Sequence, residues 1–131
     1  MKTKLGMKLT VFEELEKGDE AVAGTIRLSE ESRVIGRGEQ SDIRIGRDDS
    51  GVSRGQFEVT LTKGKATLRN AGKNAVSMGG DQILAPGDSA LITTETKAIF
   101  PGRIIRFVIA EEERILHLLM RFPDGSKQVV E

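Results

Sequence analysis

Short apolar runs alternate with polar residues along this chain, and glycine and charged turns cut them off again and again. That punctuation restricts the fold more than any other feature. In residues 56–62, Phe57, Val59 and Leu61 fall on one side of an extended chain, and Glu58 and Thr60 fall on the other. This is the pattern of a strand with one buried face. Comparable runs at 8–12, 23–28, 33–35, 43–45, 66–70, 82–84, 89–93 and 103–109 also read as strands. Thr62-Lys63-Gly64-Lys65 supplies a hairpin turn, and Ala85-Pro86-Gly87-Asp88 supplies another. Many short strands joined by glycine turns predict an all-β chain, a sandwich or a barrel.

Two segments stay open on pattern alone. The acidic residues 13–20 fit a loop or one helical turn, and residues 93–102 fit a long loop or a hairpin tip, with Pro101-Gly102 restarting the last strand. From Ala110 onward two patterns compete. Ile115, Leu118, Leu119 and Phe122 have helical spacing behind Glu111, Glu112 and Glu113. Pro123-Asp124-Gly125-Ser126 and residues 127–130 instead fit the turn and return strand of a hairpin, which is the reading we favour. The expected organisation is one domain over 1–110 and a short C-terminal extension over 111–131.

Composition removes several function classes. The 131 residues carry 20 basic and 20 acidic side chains, a formal net charge of zero. General nucleic-acid binding needs a basic field to displace counterions, so any anion site has to be local. There are no tryptophans or tyrosines and only 5 phenylalanines, too few for a base-stacking platform. The absence of cysteine excludes a disulfide framework and a thiolate metal site. The single histidine, His117, excludes a multi-histidine metal centre and has no serine or cysteine partner in a recognisable motif. No apolar run approaches the ~20 residues of a membrane span, and Met1-Lys2-Thr3-Lys4 is too polar to open a secretory signal. The expectation is a soluble, cytoplasmic protein that uses no metal or cofactor and has no contact with membrane or nucleic acid.

Chemistry concentrates between Arg33 and Gln56. This stretch packs Arg37, Arg44, Arg47 and Arg54, the hydroxyls of Ser41, Ser50 and Ser53, and several glycines between short apolar strands. Planar cations, hydroxyl donors and freely turning backbone are what a phosphate group requires. Taken alone, Arg37 is a solvated charge at a strand end, Ser53 caps a turn and Arg44, alternating with Ile43 and Ile45, points to solvent. Asp48-Asp49 reads as a solvated pair. Gly36-Arg37-Gly38 is not a nucleotide loop, because no Gly-Lys-Ser/Thr and no long helix follow.

Ile35-Gly36-Arg37, Ser41-Asp42-Ile43, Val52-Ser53-Arg54 and then Phe57 opening a strand follow one another in an order that resembles the forkhead-associated (FHA) domain. Asn74-Ala75-Val76-Ser77-Met78-Gly79-Gly80 resembles that family's asparagine-glycine loop, and Gly87-Asp88 its later turn. The likeness covers roughly residues 7–109. It implies a β-sandwich of two twisted, mainly antiparallel sheets whose loops at one end bind phosphothreonine-containing peptides. It further implies that Arg37 offers its guanidinium to two phosphate oxygens and that Ser53 donates its hydroxyl. Arg54 and Arg47 lie in or beside the loop over the site, Asn74 bonds the peptide backbone, and residues 74–76 line a pocket for the threonine methyl. No catalytic residue is implied.

The sequence departs from the family at Gln56, where a histidine usually braces the loops, at Ala75, where glycine is usual, and at Val76, where threonine is common. Glutamine can still hydrogen-bond, whereas alanine resists a positive φ. The departures motivate an alternative, an FHA-like scaffold or oligomerisation domain that binds partners without phosphate. The apolar tail offers a surface for self-association, and its Arg121-Phe122-Pro123-Asp124-Gly125-Ser126 run resembles the opening hairpin of UBX domains.

Overall fold

The computed structural model describes residues 3–15, 18–47 and 51–115, with side chains from Gly6 onward and up to Glu111. The described residues form eleven strands: β1 (Thr3–Leu15), β2 (Glu20–Arg27), β3 (Arg33–Gly36), β4 (Ile43–Arg44), β5 (Phe57–Thr62), β6 (Lys65–Asn70), β7 (Val76–Ser77), β8 (Ile83–Leu84), β9 (Ser89–Ile92), β10 (Glu95–Phe100) and β11 (Arg103–Ile115). They pair into a six-stranded sheet ordered β2-β1-β11-β10-β7-β8 and a five-stranded sheet ordered β4-β3-β5-β6-β9. Every recorded pairing is antiparallel except β3 with β4. The two sheets close on one core, and the all-β sandwich expected from the sequence is the fold observed. Among the described residues no helix is long and apolar enough to cross a membrane.

The alternation that marked the strands also fills the core. Phe57 and Val59 on β5, Ala66 and Leu68 on β6, Leu9 and Val11 on β1, and Ile105 and Phe107 on β11 are buried. Phe57 sits at the centre, edge-on to Phe107 at 5.4 Å and to Phe100 at 6.2 Å between ring centroids, the arrangement that aromatic quadrupoles favour. The β5–β6 turn pairs Thr62 with Lys65. Its central residues Lys63 and Gly64 both take positive φ, 53° and 78°, the twist that two-residue hairpins need. The Ala85–Asp88 turn closes with Asp88 N–H donating to the Ala85 carbonyl at 2.9 Å.

Both ambiguous segments contain strand residues. Residues 93–102 contain β10, because Ala98 and Phe100 are inward and buried and bring that edge into the core. Pro101 and Gly102 form its tight turn into β11, with Phe100 opposite Arg103. Glu13 and Glu14 belong to β1 and pair with Ile105 and Ile104. β7 went unrecognised, since two residues inside a glycine-rich loop carry no period.

β11 continues past Ala110 to Ile115, opposite Thr3, so the final strand crosses the boundary expected at 110. The helix and hairpin readings of the tail, His117, the Leu118-Leu119-Met120 cluster, the UBX-like run, Asp48-Asp49 and Ser50 all fall outside the described residues.

On the outer face of the six-stranded sheet, Arg106 lies 4.2 Å above the Phe12 ring. It also holds Glu20 through two hydrogen bonds of 2.9 and 3.0 Å. The Arg106 hydrogen bond, helped by its charge and that of Lys97, keeps the Glu20 carboxyl below the usual carboxylate range against a smaller desolvation effect. A carboxylate with a depressed folded pKa stabilises the fold above its unfolded pKa, near 4.3. That contribution is lost as pH falls through the folded value. Glu20→Gln is therefore expected to flatten the decline of melting temperature between roughly pH 5 and pH 3, while leaving the neutral-pH melt within about a degree or two.

Candidate functional site

Loops at one end of the sandwich gather the residues singled out in sequence. β3 ends at Gly36, where the backbone runs so close to the segment leading into β5 that an added Cβ would lie 2.2 Å from the Arg54 carbonyl oxygen and 2.7 Å from Gln56 N. Only glycine fits there. This approach lets Arg37 N–H donate to the Ser53 carbonyl at 3.1 Å and Gly38 N–H to the Arg54 carbonyl at 3.1 Å. The Arg37 side chain, half-buried, donates its Nε–H to the Val52 carbonyl at 2.8 Å. Its root is thereby fixed.

The Ser41-Asp42-Ile43 motif now has a physical account. Ser41 Oγ donates to the Arg54 carbonyl at 3.2 Å, and Asp42 Oδ2 accepts from Val34 N–H at 2.7 Å. Ile43 enters the core.

Ser53 belongs to the neighbouring loop. Its Oγ accepts from Lys73 N–H at 3.3 Å, and its own N–H donates to Gln56 Oε1 at 2.8 Å. Gln56 is buried and passes the connection on, donating Nε2–H to Asn70 Oδ1 at 2.9 Å. Asn70 is fully buried. Its Oδ1 also accepts from Gly72 N–H at 2.9 Å, and its Nδ2 donates to the carbonyls of Asn74 and Leu84, each at 2.9 Å. One polar triad, Ser53–Gln56–Asn70, thus joins the serine loop to the asparagine loop. Gly72 is another position with no room for a side chain while this network stands, because a Cβ there would meet Gln56 Nε2 at 2.4 Å and Ser53 Oγ at 2.8 Å. Gln56 thus still hydrogen-bonds, and through it the two loops are linked.

Arg37 and Arg54 line one groove together with Arg44 and Ser41. Ser53 and Asn74 lie on the loops beside that groove. Asn74 is exposed, its backbone carbonyl tied to Asn70. Arg47 is exposed just beyond Gly46 and does not line the groove. Ala75 keeps a negative φ, so the loop follows a path that alanine accepts. Val76, expected beside a ligand methyl, is buried and pairs in β7 opposite Leu84. Arg44 also differs from expectation. It is half-buried and donates Nε–H to the Arg37 carbonyl at 2.8 Å. On so short a strand, beside β3 in parallel, the outward face is the groove wall.

Charge sorts cleanly. Arg33, Arg69, Arg103 and Arg106 each pair with a carboxylate. Among the described residues, Arg37, Arg44, Arg47 and Arg54 have no such partner. Among the described residues, these four guanidinium groups without a carboxylate partner all belong to the β3–β4 and β4–β5 segments, an arrangement that favours an anion there. No cluster of acidic or histidine side chains able to hold a metal occurs among the described residues.

Sequence reasoning missed Asn70, Arg44 and Glu13. Asn70 was detectable as a polar residue at an inward position after Ala66 and Leu68. Glu13 gave no local signal. From β1 it accepts Gly46 N–H at 2.7 Å and pairs with Arg103, fixing the root of the loop that carries Val52 and Ser53. We expect Glu13→Ala to lower stability by about 1–2 kcal/mol through the lost acceptor. In a thermal melt this is a fall of roughly 5 °C.

Fold and site together define a β-sandwich that presents a cluster of arginine-bearing loops at one end. The chain belongs to the FHA domain family, whose model matches residues 33–107, more than half of it. No curated protein matches the chain. Among solved structures, the chain is similar to the FHA-1 domain of Mycobacterium tuberculosis Rv1747, with TM-score 0.55 and 15% identity over 78% of this chain and 97% of that one. It is similar to the FhaA FHA domain complexed with the intracellular domain of Rv3910, with TM-score 0.51 and 24% identity over 76% and 99%. A third, described for phosphothreonine-dependent FHA domain interactions, gives TM-score 0.51 and 24% identity over 76% and 94%.

Proposed function

We propose that this chain is a non-catalytic docking module, soluble and cytoplasmic, that serves signalling by binding phosphothreonine-bearing protein segments at the loop end of the sandwich. An FHA domain is a phosphopeptide-binding module, and a related domain is described by its phosphothreonine-dependent interactions. The observation that carries the reading is the set of arginines without carboxylate partners at that end. A phosphothreonine brings nearly two negative charges and three acceptor oxygens.

In this reading the terminal N–H groups of Arg37 hold two phosphate oxygens and the Ser53 hydroxyl donates to the phosphate. Arg54 and Arg47 add charge from the overlying loop, and the Asn74 amide bonds the peptide backbone. No bond is made or broken. Two or three charge-assisted hydrogen bonds of about 1.5–3 kcal/mol each, less the cost of ordering a flexible peptide, give a weak to moderate, readily reversible complex.

The test is a titration with a phosphothreonine peptide library and its unphosphorylated twin. Binding of the phosphorylated set alone supports the reading, while equal binding of both sets favours the phosphate-independent scaffold. Affinity is further expected to fall several-fold between pH 7 and pH 5, as the phosphate gains a proton near its second pKa of about 6.

A further inference from the structure

Four strands end a sheet, β2 and β8 in one and β4 and β9 in the other. Of these β2 is the longest, with 8 residues against 4 in β9 and 2 in each of the others. It pairs with β1 on one side only. Alternate residues therefore turn their N–H and C=O groups away from β1, a row that can template a further strand. Residues 21–26 of this edge carry no charge and no proline, and Val22 is 60% exposed.

The β1–β2 register sets like charges directly opposite one another near both ends of β2. Glu14 faces Glu20, and Lys8 faces Arg27. Cross-strand pairs of like charge are destabilising. Arg106 offsets the acidic pair in part, through its two hydrogen bonds to Glu20. One acidic pair and one basic pair thus stand at opposite ends of a single free edge.

A β-bulge fixes how that edge can be used. The register shifts between Val11 and Phe12, and Ala23 is the extra residue on β2. As a result Glu20, Val22, Thr25 and Arg27 stand opposite Glu14, Phe12, Thr10 and Lys8, every second residue of β1, and so share the outer face. Residues opposed in an antiparallel ladder must share a face. In an unbulged strand, residues three or seven apart point to opposite faces. With the bulge, β2 laid antiparallel on a second β2 brings Glu20 to Arg27 and Val22 to Thr25, all outward, and does so twice. Bulge meets bulge at the centre, at Ala23-Gly24. A bulge hinders a foreign strand at an edge, but this one matches its own copy.

We propose that β2 is an interface for a second copy of this chain, a two-fold dimer in which the six-stranded sheets join edge to edge through antiparallel β2 strands. The Glu14–Glu20 pair of each copy then lies beside the Lys8–Arg27 pair of the other, so both like-charge contacts gain opposite charges. One edge of 8 residues buries less than a standard interface, and the dimer is weak and reversible. The proposal stands apart from the phosphothreonine reading, which survives its failure.

The experiment is sedimentation velocity on the full chain from roughly 10 μM to roughly 1 mM. The expected result is a monomer–dimer equilibrium that weakens several-fold as salt rises from about 50 to about 500 mM, because exposed charges are screened. Val22→Lys, and separately Thr25→Lys, should raise the dissociation constant about tenfold by placing a charge on the paired edge. The acidic-edge variant Lys8→Glu/Arg27→Glu and the basic-edge variant Glu14→Lys/Glu20→Lys should each be monomeric alone and form a 1:1 heterodimer when mixed. Thermal melts check each fold, and if either double variant unfolds, the two single lysine variants decide. A wild-type monomer across the whole range overturns the proposal. So does a dimer that survives both lysine substitutions, since its contact then lies on another surface, or a pair of folded edge variants that stay monomeric when mixed.

Discussion

Arg37→Ala is expected to weaken phosphopeptide binding by about 100- to 1,000-fold. The side chain is the proposed fork for two phosphate oxygens, and losing two charge-assisted bonds removes about 3–4 kcal/mol, at 1.4 kcal/mol per tenfold. The fold survives, because the only described side-chain bond lost is that from Nε to the Val52 carbonyl, worth about 1 kcal/mol. Arg37→Lys keeps the charge and loses the planar fork, so it should fall between the two. Titration calorimetry beside a thermal melt separates binding from stability. Unchanged affinity in a folded Arg37→Ala protein would remove the arginine from the site.

Asn70→Ala is expected to be the most destabilising single change at this end of the sandwich, by about 3–4 kcal/mol. Asn70 is fully buried and its side chain makes four hydrogen bonds. Alanine strands the Gln56 amide, the Gly72 N–H and two carbonyls, and each buried orphan costs about 1–3 kcal/mol, partly relieved by relaxation. A fall of roughly 10–15 °C in melting temperature follows. The asparagine loop should also loosen, since the Asn70 bonds to Gly72 N–H and to the Asn74 carbonyl hold it from both sides. A double-mutant cycle with Gln56→Leu is expected to show a coupling of about 1 kcal/mol or more, because the two amides share one bond and one network. Additive effects would show that the two loops are braced separately.

Much of this was legible beforehand. Strand residues announced themselves because a half-buried strand must alternate, and Phe57, Val59, Ala66 and Leu68 obey that rule. The turns were legible because Gly64 and Pro86-Gly87 carry the φ preferences that such turns demand, while Lys63 takes its positive φ against its own preference. Arg37 and Ser53 stood out because their order and spacing match a known family.

Arg44 misled for a physical reason. Alternation gives the side of a strand and not what lies on that side, and here the outward side is a groove. The strand pairing of Val76 with Leu84 was hidden by its place in a loop motif. Asn70 was overlooked because an inward amide has meaning only once Gln56, Gly72 and Leu84 surround it.

What the chain determined on its own was local: period-two burial, turn geometry, glycines where backbones meet, and a balanced charge that confines any anion site to a patch. Tertiary structure decided which cations remain uncompensated. Among the described residues, Arg33, Arg69, Arg103 and Arg106 find carboxylates, mostly on neighbouring strands, whereas Arg37, Arg44, Arg47 and Arg54 do not. Ion pairing depends on distances across strands that lie far apart in sequence, and these are fixed only when the two sheets close.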